Sequence, residues 1–142
     1  MAAEAPGAAV ERMLQEHRRA GGCMVVGYSG GADSSLLLAL AVRHCPAGIN
    51  LRALHVNHGL HAQSGDWEEH CRAFADKLGV PIEVVRSRIR AGRGIEDKAR
   101  QARLRAFAGT DADAIVLAHH ADDQIETFLL RALRGAGIRG LA

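Results

Sequence analysis

The stretch Cys23-Met24-Val25-Val26-Gly27-Tyr28-Ser29-Gly30-Gly31-Ala32-Asp33-Ser34-Ser35-Leu36-Leu37-Leu38 decides the fold. Its first half is a short apolar run of strand type that stops at glycines, and its second half is apolar nearly all round, as for a central helix packed under a sheet. The turn between them is small and polar. Consecutive glycines let the backbone turn tightly and bring bare N–H groups onto an anion, and the helix beginning near Ser35 adds the positive end of its dipole. Such a turn reads as a phosphate cradle. No Lys precedes the Ser/Thr as in a Walker A loop, so backbone donors, hydroxyls and a metal ion must balance the phosphate charge, with Asp33 the carboxylate placed to hold Mg2+. The competing reading is a plain turn in which Asp33 or Ser34 caps the following helix.

Working outward, the same alternation recurs. Val10 and Leu14 mark a short amphipathic N-terminal helix, Ser35–Cys45 a buried helix and Ile49–Val56 a second strand. A helix follows near Trp67–Leu78, then a strand at Pro81–Val85, a helix at Glu96–Phe107 and a fourth strand at Ala114–Ala118. Asp123–Arg134 is expected as a last helix on the apolar stripe Ile125, Phe128, Leu129 and Leu133, and Gly135–Ala142 as a loop. Strand and helix in alternation predict an α/β fold, an open parallel sheet with helices on both faces joined by right-handed crossovers. With nothing after the last helix, the domain is expected to stop short of its final strand.

The chain has 142 residues, 48% of them hydrophobic, the length and apolar content of one ordinary domain. Its formal charge of +2 is too small to announce a nucleic-acid partner, but Arg86, Arg88, Arg90, Arg93, Lys98, Arg100, Arg103 and Arg105 crowd one stretch. Cys23, Cys45 and Cys71 are widely spaced, without a C-x-x-C pair or a zinc-type Cys/His spacing, and read as reduced thiols. The longest apolar run, Leu36–Val42, is far too short for a bilayer. Both features predict a cytoplasmic protein without a membrane partner.

In an open parallel sheet, ligands bind where the strand order reverses, at the carboxyl ends of the strands. Three polar stretches fall there: Ser29–Ser34, His55-Val56-Asn57-His58-Gly59-Leu60 and His119-His120-Ala121-Asp122-Asp123-Gln124-Ile125-Glu126-Thr127. Asp123 and Glu126, three apart at an expected helix start, would share one side of its first turn and orient an amine or a cation. The same spacing also outlines a helix capping box. A His at a strand end is more often a hydrogen-bonding residue than a catalyst, and Trp67 reads as packing rather than as a base-stacking platform.

These residues carry a resemblance. Ser29-Gly30-Gly31-Ala32-Asp33-Ser34 is similar to the SGGxDS loop of the PP-loop ATP pyrophosphatases, whose fold is of the adenine nucleotide alpha hydrolase type. Within that superfamily the His55–Leu60 stretch resembles the tRNA(Ile)-lysidine synthetase family. So do Gly94-Ile95-Glu96 with Ala99-Arg100-Gln101-Ala102-Arg103, Leu117–Thr127 and Leu133–Leu141. The resemblance implies an ATP-binding domain over residues 22–142, incomplete at its C-terminus, preceded by a helical extension over 1–21. It implies a ligase that adenylates the C2 oxygen of the wobble cytidine in tRNA(Ile) with a CAU anticodon, releases pyrophosphate, and lets free L-lysine displace AMP.

The cofactors it implies are ATP and Mg2+. Ser29, Gly30, Gly31, Ala32, Asp33, Ser34, Ser35 and His55 would bind the nucleotide. Asp33 would hold the metal and act with Asp123 and Glu126 in catalysis, and Arg100 and Arg103 would meet a phosphate or the RNA backbone. The position after Arg103, commonly Tyr in the family, is Leu104. Members of the family continue with a further strand and with domains that grip tRNA, so the 142-residue chain alone is expected to bind ATP weakly at most. A tRNA thiolase of the same superfamily and a non-catalytic ATP/AMP-binding module are the alternatives.

Overall fold

The computed structural model describes residues 5–18, 21–121 and 124–131. The chain runs α1 (Pro6–Glu16), β1 (Cys23–Gly27), α2 (Ala32–His44), β2 (Asn50–Asn57), α3 (Ser64–Leu78), β3 (Ile82–Arg86), α4 (Ile95–Ala108), β4 (Ala114–Ala121) and β5 (Gln124–Arg131). The strands form one sheet in the order β3-β2-β1-β4-β5, with β1 to β4 mutually parallel.

Because side chains alternate across a strand, β1 feeds two cores. Met24 and Val26 pack with Val10, Met13 and Leu14 of α1, Leu37, Leu38 and Ala41 of α2, and Cys71 and Ala75 of α3. Val25, between them, packs on the other side with Leu54, Phe107 of α4 and Ile115. Helices therefore cover both faces, as expected. The split follows from right-handed crossovers: β1 to β2 and β2 to β3 step one way along the sheet, whereas β3 to β4 steps back across β1 and carries α4 to the opposite face. The order reverses between β1 and β4, and the switch point lies at the end of β1.

One expected element is corrected. Asp123–Arg134 was expected to be helical, but Gln124–Arg131 turns back as β5, antiparallel to β4, with Glu126 opposite His119 and Ile125 opposite His120. A run of about eight residues containing Ile, Thr and Phe satisfies strand and helix patterns alike, and pairing with it satisfies backbone groups along the β4 edge. The sheet is thus parallel through four strands, with an antiparallel fifth. Asp122, Asp123 and the expected loop at Gly135–Ala142 lie outside the described residues. Among the described residues no helix is long and apolar enough to cross a membrane.

Candidate functional site

The turn after β1 is tied to itself through Ser34. The Ser34 hydroxyl donates to the Gly31 carbonyl at 3.3 Å and accepts from the Ser29 backbone N–H at 3.2 Å. With its one proton so used, it accepts from the Ser29 hydroxyl at 2.9 Å, and that oxygen in turn accepts from the Gly31 N–H at 3.3 Å. Gly30 makes the bend with φ +89°, a conformation that side chains disfavour. Helix α2 starts at Ala32, three residues earlier than the sequence suggests, so Asp33 falls in its first turn. Its N-cap is Gly31, and no side chain caps it. The capping reading of Asp33 or Ser34 is therefore not what the loop does. The first-turn N–H groups, which have no intrahelical acceptor, and the helix dipole face the loop.

Beneath the loop, the β2 end is built around two polar side chains. His55 is buried, and its Nδ1–H donates to the Tyr28 carbonyl at 2.9 Å. The Cys71 thiol lies 3.8 Å from the same nitrogen, and burial first, then the nearby Glu68 charge, pushes it up to about 11. Asn57 accepts the Gly59 N–H at 2.9 Å and donates to the Ser64 carbonyl at 3.3 Å and to Glu68 at 3.0 Å. It therefore folds the Asn57–Ser64 connection and fastens it to α3. Glu68 is buried and also accepts from Arg72 at 3.1 Å and Arg86 at 2.7 Å. The Asn57 hydrogen bond, followed by those of Arg86 and Arg72, holds its carboxyl down at about 2 against the opposing effect of burial.

A cavity of about 900 Å³ opens at this edge, lined by the β1 end with Ser29 and Ser34, by His55 to His61, and by Trp67 and His70. Arg103, Phe107, Leu117 and Ala118 close it from the α4 and β4 side. That volume suits a nucleotide-sized ligand. Inside it, His58 Nδ1 is buried with no hydrogen-bond partner among the described residues. Burial, then the Arg103 charge and His55, pull the His58 ring below the ordinary imidazole range. An unpaired buried polar atom is costly, and this one belongs to a ring that lines the cavity.

Of the expected site residues, Ser29, Ser34, His55 and Arg103 line the cavity, whereas Gly30 to Asp33 and Ser35 belong to the same loop and first helical turn without lining it. Arg100, although on α4 with Arg103, is exposed and does not line the cavity. Glu126 sits in β5 rather than in a first helical turn, and Asp123 lies outside the described residues. Among the described residues no three His, Cys, Asp or Glu groups converge on a metal position. Asp33, in the first turn of α2, is a carboxylate of the kind Mg2+ takes one or two of, completing its shell with phosphate oxygens and water.

Two residues escaped the sequence reading. Glu68 gave no signal beyond one acidic residue in an amphipathic helix. Trp67, expected to be packing, is 47% exposed, donates its Nε1–H to the Ser29 carbonyl at 2.8 Å and stacks on His70 with ring centroids 5.0 Å apart. A lone Trp at a helix start beside a ligand loop was the available hint.

Comparison with known proteins agrees with this geometry. The chain is 50% identical over 126 residues to the tRNA(Ile)-lysidine synthase of Xanthomonas axonopodis pv. citri, covering 85% of this chain and 29% of that protein. It is 46% identical over 133 residues to the enzyme of the same name from Pseudomonas aeruginosa, covering 91% of this chain and 30% of that one. The chain thus spans about 30% of the length of these relatives. Among solved structures, a U34-tRNA thiolase from Methanococcus maripaludis superposes with TM-score 0.62 at 18% identity over 81% of this chain and 46% of its own. An NH3-dependent NAD synthetase from Campylobacter jejuni does so with TM-score 0.56 at 17% identity over 77% and 53%. At that identity the two structures speak for the fold alone, but a family model described as a PP-loop domain matches residues 6–142, and the chain belongs to that family.

Proposed function

We propose that this chain is the ATP-binding part of a cytoplasmic tRNA(Ile)-lysidine synthetase, with residues 22–142 forming the nucleotide domain and 1–21 a helical extension that shares its core. The observation that carries the reading is a self-tied Ser29–Ser34 loop at the switch point of the sheet, in a chain about half identical to tRNA(Ile)-lysidine synthases. In this reading ATP lies in the cavity with its phosphates on the loop, received by backbone N–H groups of Gly30 and of the first turn of α2. Ser29 and Ser34 line that path, Ser35 donates its hydroxyl to that of Tyr28, and His55 supports the loop from below by holding the Tyr28 carbonyl. The His58 ring, which lines the cavity, stands beside the nucleotide.

The C2 oxygen of the wobble cytidine attacks the α-phosphorus, the Pα–O bond to the β-phosphate breaks, and pyrophosphate leaves. The ε-amine of free lysine then attacks C2, loses a proton and expels AMP. Adenylation makes a poor oxygen leaving group a good one, and donors fixed in advance around the departing pyrophosphate lower the barrier without reorganising. Mg2+, held by Asp33 together with the phosphates, would supply the remaining charge neutralisation. Asp123 and Glu126 are assigned to the metal or the lysine amine, and Arg100 and Arg103 to a phosphate or the backbone of a tRNA(Ile) with a CAU anticodon.

The test is a full-length protein containing this chain, incubated with ATP, Mg2+, labelled lysine and that tRNA. Stoichiometric pyrophosphate and AMP release with label on the RNA supports the proposal. Sulfur transfer to the RNA, or no turnover, overturns it.

A further inference from the structure

The Ser29–Gly30 peptide is held by a residue from another element. The Trp67 indole of α3 donates to the Ser29 carbonyl at 2.8 Å, and its ring lies against Gly30, where an added Cβ would come within 2.9 Å of Cε2 and Cζ2. A trans peptide points its C=O and N–H in opposite directions. With the carbonyl turned to Trp67, the Gly30 N–H is turned away from α3, and among the described residues no acceptor takes it. Glycine permits both orientations of this peptide, so nothing local prevents the carbonyl from taking the place of the N–H. A carbonyl there would present a partial negative charge to an anion where a donor is needed.

Trp67 itself is fixed from two sides. It stacks on His70, and the next residue, Glu68, is bonded to Asn57, Arg72 and Arg86. The indole therefore reaches the loop from a helix anchored to the β2 end.

We infer that Trp67 is a positioning residue: its Nε1–H latches the Ser29–Gly30 peptide in the orientation that offers the Gly30 N–H to a bound di- or triphosphate. This rests on the reading of the Ser29–Ser34 loop as a phosphate site. Its energetic share is that of one hydrogen bond, so losing the donor while keeping the ring weakens phosphate binding by roughly three- to tenfold.

The experiment titrates a full-length protein containing this chain with MgATP and, separately, with inorganic pyrophosphate and Mg2+ by calorimetry. Wild type is compared with Trp67→Phe and with a form carrying benzothienylalanine at this single tryptophan position, an isostere whose sulfur replaces the N–H. Thermal unfolding of each form is recorded in parallel. The expected result is weaker binding of both ligands to both altered forms, with the melting temperature of the isostere unchanged. Unaltered affinity in the isostere overturns the latch and leaves the phosphate site standing. If the folded wild-type full-length protein binds neither ligand, the phosphate site and the latch fall together.

Discussion

Gly30 lies so close to Cys71 that a Cβ at this position would stand 2.7 Å from the thiol sulfur. The contact joins the loop to α3 from below, while Trp67 meets the same glycine from the side. No room for a side chain remains there. The bend of a ligand loop has thus been built directly onto the core.

Gly30→Ala meets both obstacles at once, a positive φ and two hard contacts, and is expected to cost about 2–3 kcal/mol and to weaken ATP binding. Gly31→Ala is the control. Its nearest neighbour would be the Ser29 hydroxyl at 3.5 Å, and its φ of −73° suits any residue, so stability should change by less than about 0.5 kcal/mol. Thermal unfolding of the two variants checks the contrast.

Ser34→Ala removes the acceptor for the Ser29 N–H and hydroxyl and the donor to the Gly31 carbonyl together. The loop should loosen at a cost of about 1 kcal/mol, with a fall in ATP affinity of roughly tenfold, because a preorganised anion site becomes a disordered one. Calorimetric titration with ATP and denaturant unfolding read the two effects separately.

The Glu68 cluster predicts a pH dependence. Its carboxyl is held at about 2 in the fold against an ordinary 4.5, so its contribution is complete above about pH 4.5 and is lost as pH falls toward 2. Arg86 and Arg72 reach solvent with side chains 71% and 45% exposed, which limits the contribution to about 1–2 kcal/mol. Glu68→Gln should unfold more easily at pH 7 and show a flatter stability profile between pH 5 and pH 2, measured by urea titration at each pH.

Gly27 ends β1 under the cavity floor, where a Cβ would clash with Leu117 Cδ2 and come within 3.1 Å of Phe107 Cζ. Gly27→Ala should cost about 1–2 kcal/mol. The terminal methyl of Leu117 is the nearer obstacle, so Leu117→Ala in the same chain should relieve part of the clash, a coupling that a double-mutant cycle on unfolding free energies would detect.

The order of elements was legible because β1 and α2 differ so sharply in hydrophobic period, and because glycines mark the turn between them. The phosphate loop was legible for the same reason. Asn57 was visible only as part of a motif, and in the fold it pins the connection to α3. Glu68 and Trp67 were hidden because their partners are far along the chain: Arg86 is 18 residues from Glu68, and Ser29 is 38 from Trp67. Spacing on a helix says nothing about such pairs. At Gln124–Arg131 the apolar stripe suited either period, and pairing with the β4 edge decided for a strand.

The Ser29–Ser35 loop is proposed to receive the phosphates of ATP. Amide chemical shifts of the isotopically labelled chain titrated with MgATP test it residue by residue. Saturable shifts are expected to concentrate at Ser29–Ser35 and Asn57–Leu60, with the Trp67 indole N–H moving alongside them. Saturable binding that leaves the loop amides in place and moves a different surface would contradict it.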